Sequence, residues 1–277
     1  MDAQLEQLST QELIKLALDD AEKDEYSEAI PVLQFRGDRE VFEAAKKLCE
    51  SANLEERILG AHILGQLGMP DPAFPDECSA ILRGMLQRAR EPDELDAVGV
   101  ALGHWKDEKA IAPLIELKNH PSPKARFGVV YGLLGQEDNR AIAALMELAS
   151  DPDYEVRNWA TFGLGSCVDA DTPALRSVLW QQWQQLTPEN FEDDENHEIY
   201  GEALVGLARR KDERIVKLLL EEFSSHRVGI LTLEAAGELG DTRLYPALLE
   251  VREWWSGSEY VLEGAIANCR PEKTISN

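Results

Sequence analysis

The stretch DPDYEVRNWATFGLG, from Asp151 to Gly165, decides the fold. Its first three residues combine a proline with two aspartates. Proline is excluded from a helix interior, and aspartate caps a following helix by accepting free backbone N–H groups. The next residues place small side chains such as Ala160 on one side and close with Leu164 and Gly165. We interpret this as a helix that packs closely against its neighbours.

The same pattern recurs along the chain as ERILGAHILGQLG, ELDAVGVALG, KARFGVVYGLLG, HEIYGEALVGLA and ILTLEAAGELG. The closing small residues are Gly68, Gly103, Gly135, Gly165, Ala208 and Gly240, at successive spacings of 35, 32, 30, 43 and 32 residues. A second amphipathic stretch precedes each segment, with apolar residues at steps of three and four, which is typical of a helix with one buried face. Such a period indicates a solenoid of stacked helix pairs.

The sequence therefore predicts an all-α fold, a right-handed α-solenoid (superhelix) of about seven antiparallel helix pairs. We expect N-terminal capping helices over residues 1–37, the repeat array over 38–270 and a tail over 271–277. The approximate repeats are 38–70, 75–106, 107–137, 138–170, 173–211, 212–242 and 243–270. Gly163 and Gly165 are predicted to be structural, because they let neighbouring helices approach.

The Asp151–Gly165 stretch resembles the HEAT repeat, particularly its bacterial phycobilisome-lyase-like subgroup. The matching residues are Asp151, Val156, Arg157, Ala160, Leu164 and Gly165, with a weaker match at Pro121, Ala125 and Arg126. The resemblance implies that the second helix of each pair lines a concave face. It also implies that Arg126 and Arg157 are structural, Arg157 bonding near Asp151 or Asp153. HEAT arrays serve as scaffolds, adaptors, transport receptors, chromophore lyases and a few DNA glycosylases.

Charge is the strongest compositional feature. The chain has 28 Lys and Arg against 52 Asp and Glu, a formal net charge of −24. Such a surface repels nucleic acid and anionic lipid, and it attracts basic proteins. The alternative is that the acidity only keeps the protein in solution. No stretch approaches the roughly 20 apolar residues of a membrane span, and the N-terminus lacks a secretory signal pattern. We therefore expect a cytoplasmic monomer that binds a positively charged protein, with no nucleic acid and no membrane as partner.

Aligning the second helices on their small residues predicts an exposed inner face. On this alignment Trp159, Thr161 and Phe162 point away from the buried seam. The predicted partner-binding residues of the concave face are Tyr131, Trp159, Phe162, Glu202 and Glu234. Aromatic rings beside carboxylates suit an Arg- or Lys-bearing partner. The alternative is a helix rotated by about one residue, roughly 100°, which would make these aromatics core residues.

The spacing of 43 residues indicates an acidic inter-helix insertion over residues 187–198. Insertions in solenoids project from the surface and often contribute to binding. The candidate partner-binding residues here are Glu192, Asp193, Asp194 and Glu195. A solvated loop without a binding role is the alternative.

The sequence carries no catalytic or cofactor motif. None of the five histidines belongs to an HExxH zinc motif. The nucleotide-binding patterns GxGxxG and the P-loop do not occur. Asp193, Glu195 and His197 could supply metal ligands, but a run of acidic residues seldom indicates a metal site. We predict a non-enzymatic scaffold or adaptor with no cofactor and no metal, one version being an immunity protein that neutralises a basic toxin. The alternative is a bilin lyase or chromophore chaperone. A HEAT-like DNA glycosylase is disfavoured by the negative charge.

Overall fold

A computed structural model of the protein describes residues 4–23, 25–184, 194–226 and 228–272, with the backbone alone at 194–197. Sixteen α-helices lie in these residues, and no β-strand occurs within these ranges, so the predicted all-α fold is confirmed. The chain divides into two compact units, Met1–Ala144 and Leu145–Asn277.

The first unit contains a short 3₁₀ turn at Leu5–Gln7 and four helix pairs. Its helices are α1 (Thr10–Ala21), α2 (Ala29–Arg36), α3 (Arg39–Cys49), α4 (Leu54–Gly65), α5 (Pro75–Arg88), α6 (Pro92–Trp105), α7 (Ile111–Glu116) and α8 (Pro123–Leu133). Helices α1 and α2 occupy the region predicted as N-terminal caps. The next three pairs fall in the first three predicted repeats.

The second unit continues the same plan. Helix α9 (Asn139–Leu148) crosses the division and is followed by α10 (Tyr154–Phe162), which runs into a π-helical turn at Gly163–Cys167. The remaining helices are α11 (Pro173–Gln184), α12 (Asp194–Arg209), α13 (Ile215–Ser224), α14 (Ile230–Leu239), α15 (Tyr245–Val251) and α16 (Glu259–Cys269). Each of the last four predicted repeats therefore encloses one pair.

Local chemistry fixes where many helices begin. Asn53 caps α4, its side chain accepting the backbone N–H groups of Glu55 and Glu56, and Asp153 accepts the N–H of Val156 at the start of α10. Proline is the first residue of α5, α6 and α8, where its missing N–H has no helical partner to lose.

Within each unit the second helices form a continuous layer. Helices α4, α6 and α8 pack in chain order in the first unit, and α10, α12, α14 and α16 do so in the second. Glycines permit the close approach. A Cβ atom on Gly99 of α6 would lie 2.2 Å from the carbonyl oxygen of Gly128 on α8, and one on Gly165 would lie 2.7 Å from the carbonyl oxygen of Glu202 on α12.

Arginines near the starts of second helices bind the connection that precedes them. Arg57 donates to the carbonyls of Ser51 and Ala52, Arg126 to those of His120 and Pro121, and Arg157 to those of Asp151 and Pro152. The repetition at three helix pairs shows one shared structural role. Arg57 also makes a two-point ion pair with the buried Glu94 on the next second helix, both N–O distances being 2.9 Å.

Three of the predicted closing residues, Gly68, Gly135 and Gly240, adopt the left-handed conformation with φ of 83°, 67° and 65°. The other three closing residues do not end their helices, and Gly165 lies inside the π-helical turn Gly163–Cys167. Gly103 and Ala208 lie inside α6 and α12, and the left-handed residues after these helices are Lys106 and Lys211.

The predicted acidic insertion is partly helical. Helix α12 begins at Asp194, so residues 194–198 are its first turn and not part of a projecting loop. Glu192 and Asp193 lie outside the described residues, and the side chains of Asp194 and Glu195 also lie outside them. Residues 273–277 of the predicted tail lie outside them as well.

The glycine contact between α6 and α8 gives a stability prediction. Replacing Gly99 with alanine is expected to lower the free energy of unfolding by about 2–3 kcal/mol, because its Cβ would collide with rigid backbone. Gly84 on α5 is the matched control, since its Cβ would meet only the end of Arg88 at 3.5 Å. Gly84→Ala should be neutral or stabilising by up to about 1 kcal/mol. Urea denaturation followed by circular dichroism measures both, and equal effects would contradict the proposed contact.

Asp96, on α6 where it meets α8, gives a pH prediction. Burial, opposed by Lys124 and assisted by Asp93, raises the pKa of its carboxyl to about 6, and its Oδ1 atom has no hydrogen-bond partner among the described residues. Because the pKa is raised in the folded state, the protonated Asp96 carboxyl contributes favourably to the free energy of unfolding. This contribution is complete below about pH 3.8 and is lost as the pH rises through about 6. Asp96→Asn should therefore stabilise the protein by about 1 kcal/mol at pH 7.5, a value reduced for partial solvent exposure, and by less at pH 4. A stabilisation that does not vary with pH would contradict this assignment.

Candidate functional site

The second unit contains a cleft between α10, α12 and α14, with a volume of about 310 Å³. Its lining residues are Glu155, Asn158, Trp159, Phe162, Glu198, Glu202 and Leu231. The cleft thus contains three of the five residues predicted for one concave face, Trp159, Phe162 and Glu202. They come from neighbouring second helices, which lie side by side because of the glycine contacts.

The aromatic wall comes from one face of α10. Trp159 and Phe162 are both half-buried, and their rings meet edge to face with centroids 5.6 Å apart. Thr161 was predicted to share this exposed face, and that prediction is wrong. Its side chain is fully buried, and its hydroxyl donates to the Arg157 carbonyl at 2.9 Å. A helix turns about 100° per residue, so Thr161 points roughly opposite to Trp159 while Phe162 returns to the same side.

Two carboxylates of α12 face this wall. Glu198 accepts hydrogen bonds from the Tyr154 hydroxyl and the Asn158 amide, both at 2.9 Å. Glu202 accepts one from the Ser166 hydroxyl at 3.0 Å. These bonds hold the carboxylates in place on one side of the cleft.

The pKa of Glu202 is raised above its ordinary value. Burial is the main cause, and repulsion from the neighbouring carboxylates Glu234 and Glu198 adds to it, while the Ser166 hydrogen bond acts in the opposite direction. Like charges gathered in a partly desolvated cleft create an environment that favours a cation.

The π-helical turn that carries Ser166 is held by Arg210. This side chain is buried, at 7% relative exposure, and it binds carbonyl oxygens rather than a carboxylate. The acceptors are Leu164 (2.8 Å), Gly206 (2.8 Å), Ala170 (2.9 Å), Val168 (3.1 Å) and Gly165 (3.2 Å). Arg209 also donates to the carbonyls of Gly165 and Ser166. The guanidinium groups therefore satisfy helix-end carbonyls and position the hydroxyl that contacts Glu202.

The second unit contains two further clefts. One, of about 480 Å³, shares Glu198 and Leu231 with the first cleft and also contains Tyr200 and Glu222. The other, of about 530 Å³, contains the predicted residue Glu234. We call the three together the inner-face clefts. Their glutamates are Glu155, Glu198, Glu202, Glu222, Glu234, Glu238 and Glu263, and none of their described lining residues is Lys or Arg.

Most ion pairs that the described arginines of the second unit form are with aspartates in the connections and at helix ends, and one, Arg252 with Glu263, reaches the third cleft. The pairs include Arg176 with Asp171, Arg209 with Asp169, Arg214 with Asp212 and Arg243 with Asp241. With several glutamates and no Lys or Arg in their described lining, the inner-face clefts have a local excess of negative charge.

Tyr131 belongs to the first unit. Its half-buried ring packs edge-on against His104 with centroids 5.4 Å apart and lies 6.4 Å from Phe127. Glu234 is exposed on α14 and faces the third cleft, near Tyr260 and Glu238.

Sequence reasoning missed three residues that build the first cleft: Glu198, Ser166 and Arg210. Glu198 precedes Glu202 by four residues, a spacing that places both on one helix face once the helix is known to start before Glu198. Ser166 and Arg210 carried no such signal, because their roles depend on a π-helical turn.

The described side chains include no group of three or more His, Cys, Asp and Glu arranged to hold a metal ion. No helix in the described ranges has the length and apolar character needed to cross a bilayer.

Comparison with known proteins identifies related chains. Residues 79–165 match the family model of HEAT repeats. Protein YibA of Escherichia coli K12 is 29% identical over 251 residues, which cover 88% of this chain and 85% of YibA, and YibA of strain O157:H7 gives the same values. The X-ray structure of E. coli YibA superposes with a TM-score of 0.69 at 26% identity, covering 96% of this chain and 94% of that one. A crystal structure of an engineered protein has the same fold, with a TM-score of 0.52 at 16% identity over 93% of this chain and 76% of that one.

The carbonyl-binding arginine gives a prediction for this site. Arg210→Met should lower the free energy of unfolding by about 3 kcal/mol, because several buried carbonyls lose their donor. Arg243→Met is the control, since this exposed arginine pairs mainly with Asp241 and should change stability by less than about 1 kcal/mol. Thermal and urea denaturation provide the measurement. If both variants lost the same stability, Arg210 would not be holding the π-helical turn.

Proposed function

We propose that this chain, of which residues 79–165 match the family model of HEAT repeats, is a non-enzymatic scaffold that binds a positively charged partner protein through the inner-face clefts of its second unit. The observation that carries the proposal is the composition of the clefts. Glutamates and aromatic rings line them, and Lys and Arg are missing from their described walls.

Electrostatics supports a cationic partner. The whole chain carries a net charge of −24. The pKa of Glu202 is raised mainly by burial and further by repulsion from Glu234 and Glu198. A partner that brings Arg or Lys between these carboxylates removes that repulsion. Long-range attraction between opposite charges also speeds the encounter and weakens as salt is added.

The aromatic wall supports binding of a side chain with both charge and apolar surface. Tryptophan and arginine dominate the energetic centres of protein interfaces, and a guanidinium stacks favourably on an indole face. Trp159 is half-exposed beside Phe162 and opposite Glu202, so one arginine could contact a ring and a carboxylate together. The half-buried environment of the cleft strengthens such contacts relative to open water.

Binding of a fluorescein-labelled oligo-arginine peptide, measured by fluorescence anisotropy, tests this proposal. We expect Trp159→Ala to weaken binding about tenfold or more, because a central aromatic contact is lost. Glu202→Gln should weaken binding about fivefold, since it removes the charge but keeps an acceptor for Ser166. Glu250→Gln, on the exposed outer face of α15, is the matched control and should bind like the parent protein.

Circular dichroism melting of each variant separates loss of binding from loss of folding. Three results would refute the proposal. They are equal weakening by Glu202→Gln and Glu250→Gln, binding of an oligo-glutamate peptide as tight as that of oligo-arginine, and binding unchanged by added salt.

A further inference from the structure

The first unit contains a separate cavity that the proposed partner-binding clefts do not involve. It has a volume of about 400 Å³ and lies between the N-terminal cap and the second helices α4 and α6. The cap supplies Ala17, Ala21, Ile30 and Pro31, and the second helices supply Ile58, Leu59, Val100 and Ala101. Walls from α1, α2, α4 and α6 enclose the space on several sides. Its volume falls within the roughly 300–1,000 Å³ typical of small-molecule sites, which are mostly apolar with a few placed polar groups.

The polar groups of this cavity are held in fixed positions. The Gln34 amide donates to the carbonyl of His62 at 2.8 Å, and the Gln66 amide nitrogen lies 3.1 Å from Nε2 of His104. These bonds cross between helices, so the two amides are ordered before any ligand arrives. Such preorganisation reduces the entropy that a ligand must remove on binding.

The His62 side chain faces the cavity without a hydrogen bond to any described residue. It remains accessible to solvent, and the surrounding walls lower the pKa of its imidazole, because desolvation disfavours the charged form. The pKa of His104 is lowered for the same reason. Both rings are therefore neutral at pH 7.5, and they add no positive charge to the cavity.

Two glutamates determine the sign of the charge at the cavity wall. Glu25, in the connection between α1 and α2, and Glu55, in the first turn of α4, both line the cavity and are exposed. Neither forms an ion pair with a described residue, and no Lys or Arg occurs among the described residues of the lining. The cavity thus presents an apolar interior with uncompensated negative charge at its edge.

We propose that this cavity binds a small hydrophobic amine. The apolar body of the ligand packs against Ile58, Leu59 and Val100, and its ammonium group lies between Glu25 and Glu55. The Gln34 and Gln66 amides and the neutral His62 ring offer hydrogen bonds to any further polar group of the ligand. The site is independent of the clefts in the second unit, because no residue is shared between them.

Isothermal titration of the full chain with three matched probes tests the proposal. The probes are 3-phenylpropylamine, 3-phenylpropanol and 3-phenylpropionate, which share one apolar body and differ in charge. We expect the amine to bind tightest, the alcohol more weakly and the acid weakest, since the carboxylates attract only the first. Equal affinity for the amine and the acid would overturn the assignment.

Variants then locate the binding. Glu25→Gln/Glu55→Gln should weaken binding of the amine about tenfold and leave the alcohol unchanged, because only the charge contacts are removed. Glu40→Gln, at an exposed position of α3 outside the cavity, is the control and should bind the amine like the parent. Val100→Trp should fill the space and abolish binding of the amine and the alcohol together. Val100 is half-exposed, so the added ring enters the cavity rather than the core.

Circular dichroism melting shows whether each variant is folded. A folded Val100→Trp protein that binds the amine as tightly as the parent would overturn the proposal, as would an unchanged ratio of amine to alcohol affinity in the double glutamate variant. Binding by a basic Leu/Lys peptide but by none of the amines would show a peptide groove instead, and would equally refute a small-molecule site. The oligo-arginine experiment on the second unit is unaffected by these results, so the two proposals fail separately.

Discussion

Contact between the backbones of neighbouring second helices is the constraint on which the rest of each unit depends. Gly99 and Gly128 in the first unit, and Gly165 and Gly206 in the second, have no room for a side chain. A single helix pair cannot bury both of its faces, so stability comes from stacking. The close stack also aligns exposed residues of successive helices, and this is what places Trp159 of α10 opposite Glu202 of α12.

Charge distribution follows from the same construction. Each connection between helices leaves carbonyl oxygens without intrahelical donors, and the arginines supply them, as Arg57, Arg157 and Arg210 do. Cations are thereby held at the helix ends. The described lining of the inner-face clefts contains glutamates and no Lys or Arg. Placing arginines at the connections therefore contributes to the polarity of the clefts, although Glu263 of the third cleft does pair with Arg252 at the end of α15.

The sequence predicted the helix pairs well because proline, capping residues and apolar spacing act locally. The same local logic placed Trp159 and Phe162 on one exposed face. It failed for Thr161, which was predicted to be exposed because it lies between Trp159 and Phe162 in the sequence. Each helical residue turns about 100° from the last, so the Thr161 side chain points into the core. It also failed where a longer-range contact decides the outcome. The π-helical turn at Gly163–Cys167 is stabilised by Arg210, more than forty residues from some of its acceptors, and no local pattern indicates that bond.

The electrostatics of the first cleft connects folding to binding. Burial makes the charge of Glu202 unfavourable, and repulsion from Glu234 and Glu198 adds to that cost. That free energy is a penalty of the unbound fold, and it is larger above the raised pKa of Glu202 than below it. A bound cation cancels part of the repulsion, so it stabilises the folded state as well as the complex. Protonation of Glu202 relieves the same repulsion. Protons and a cationic partner should therefore compete for this cleft, because each reduces the advantage that the other gains from occupying it.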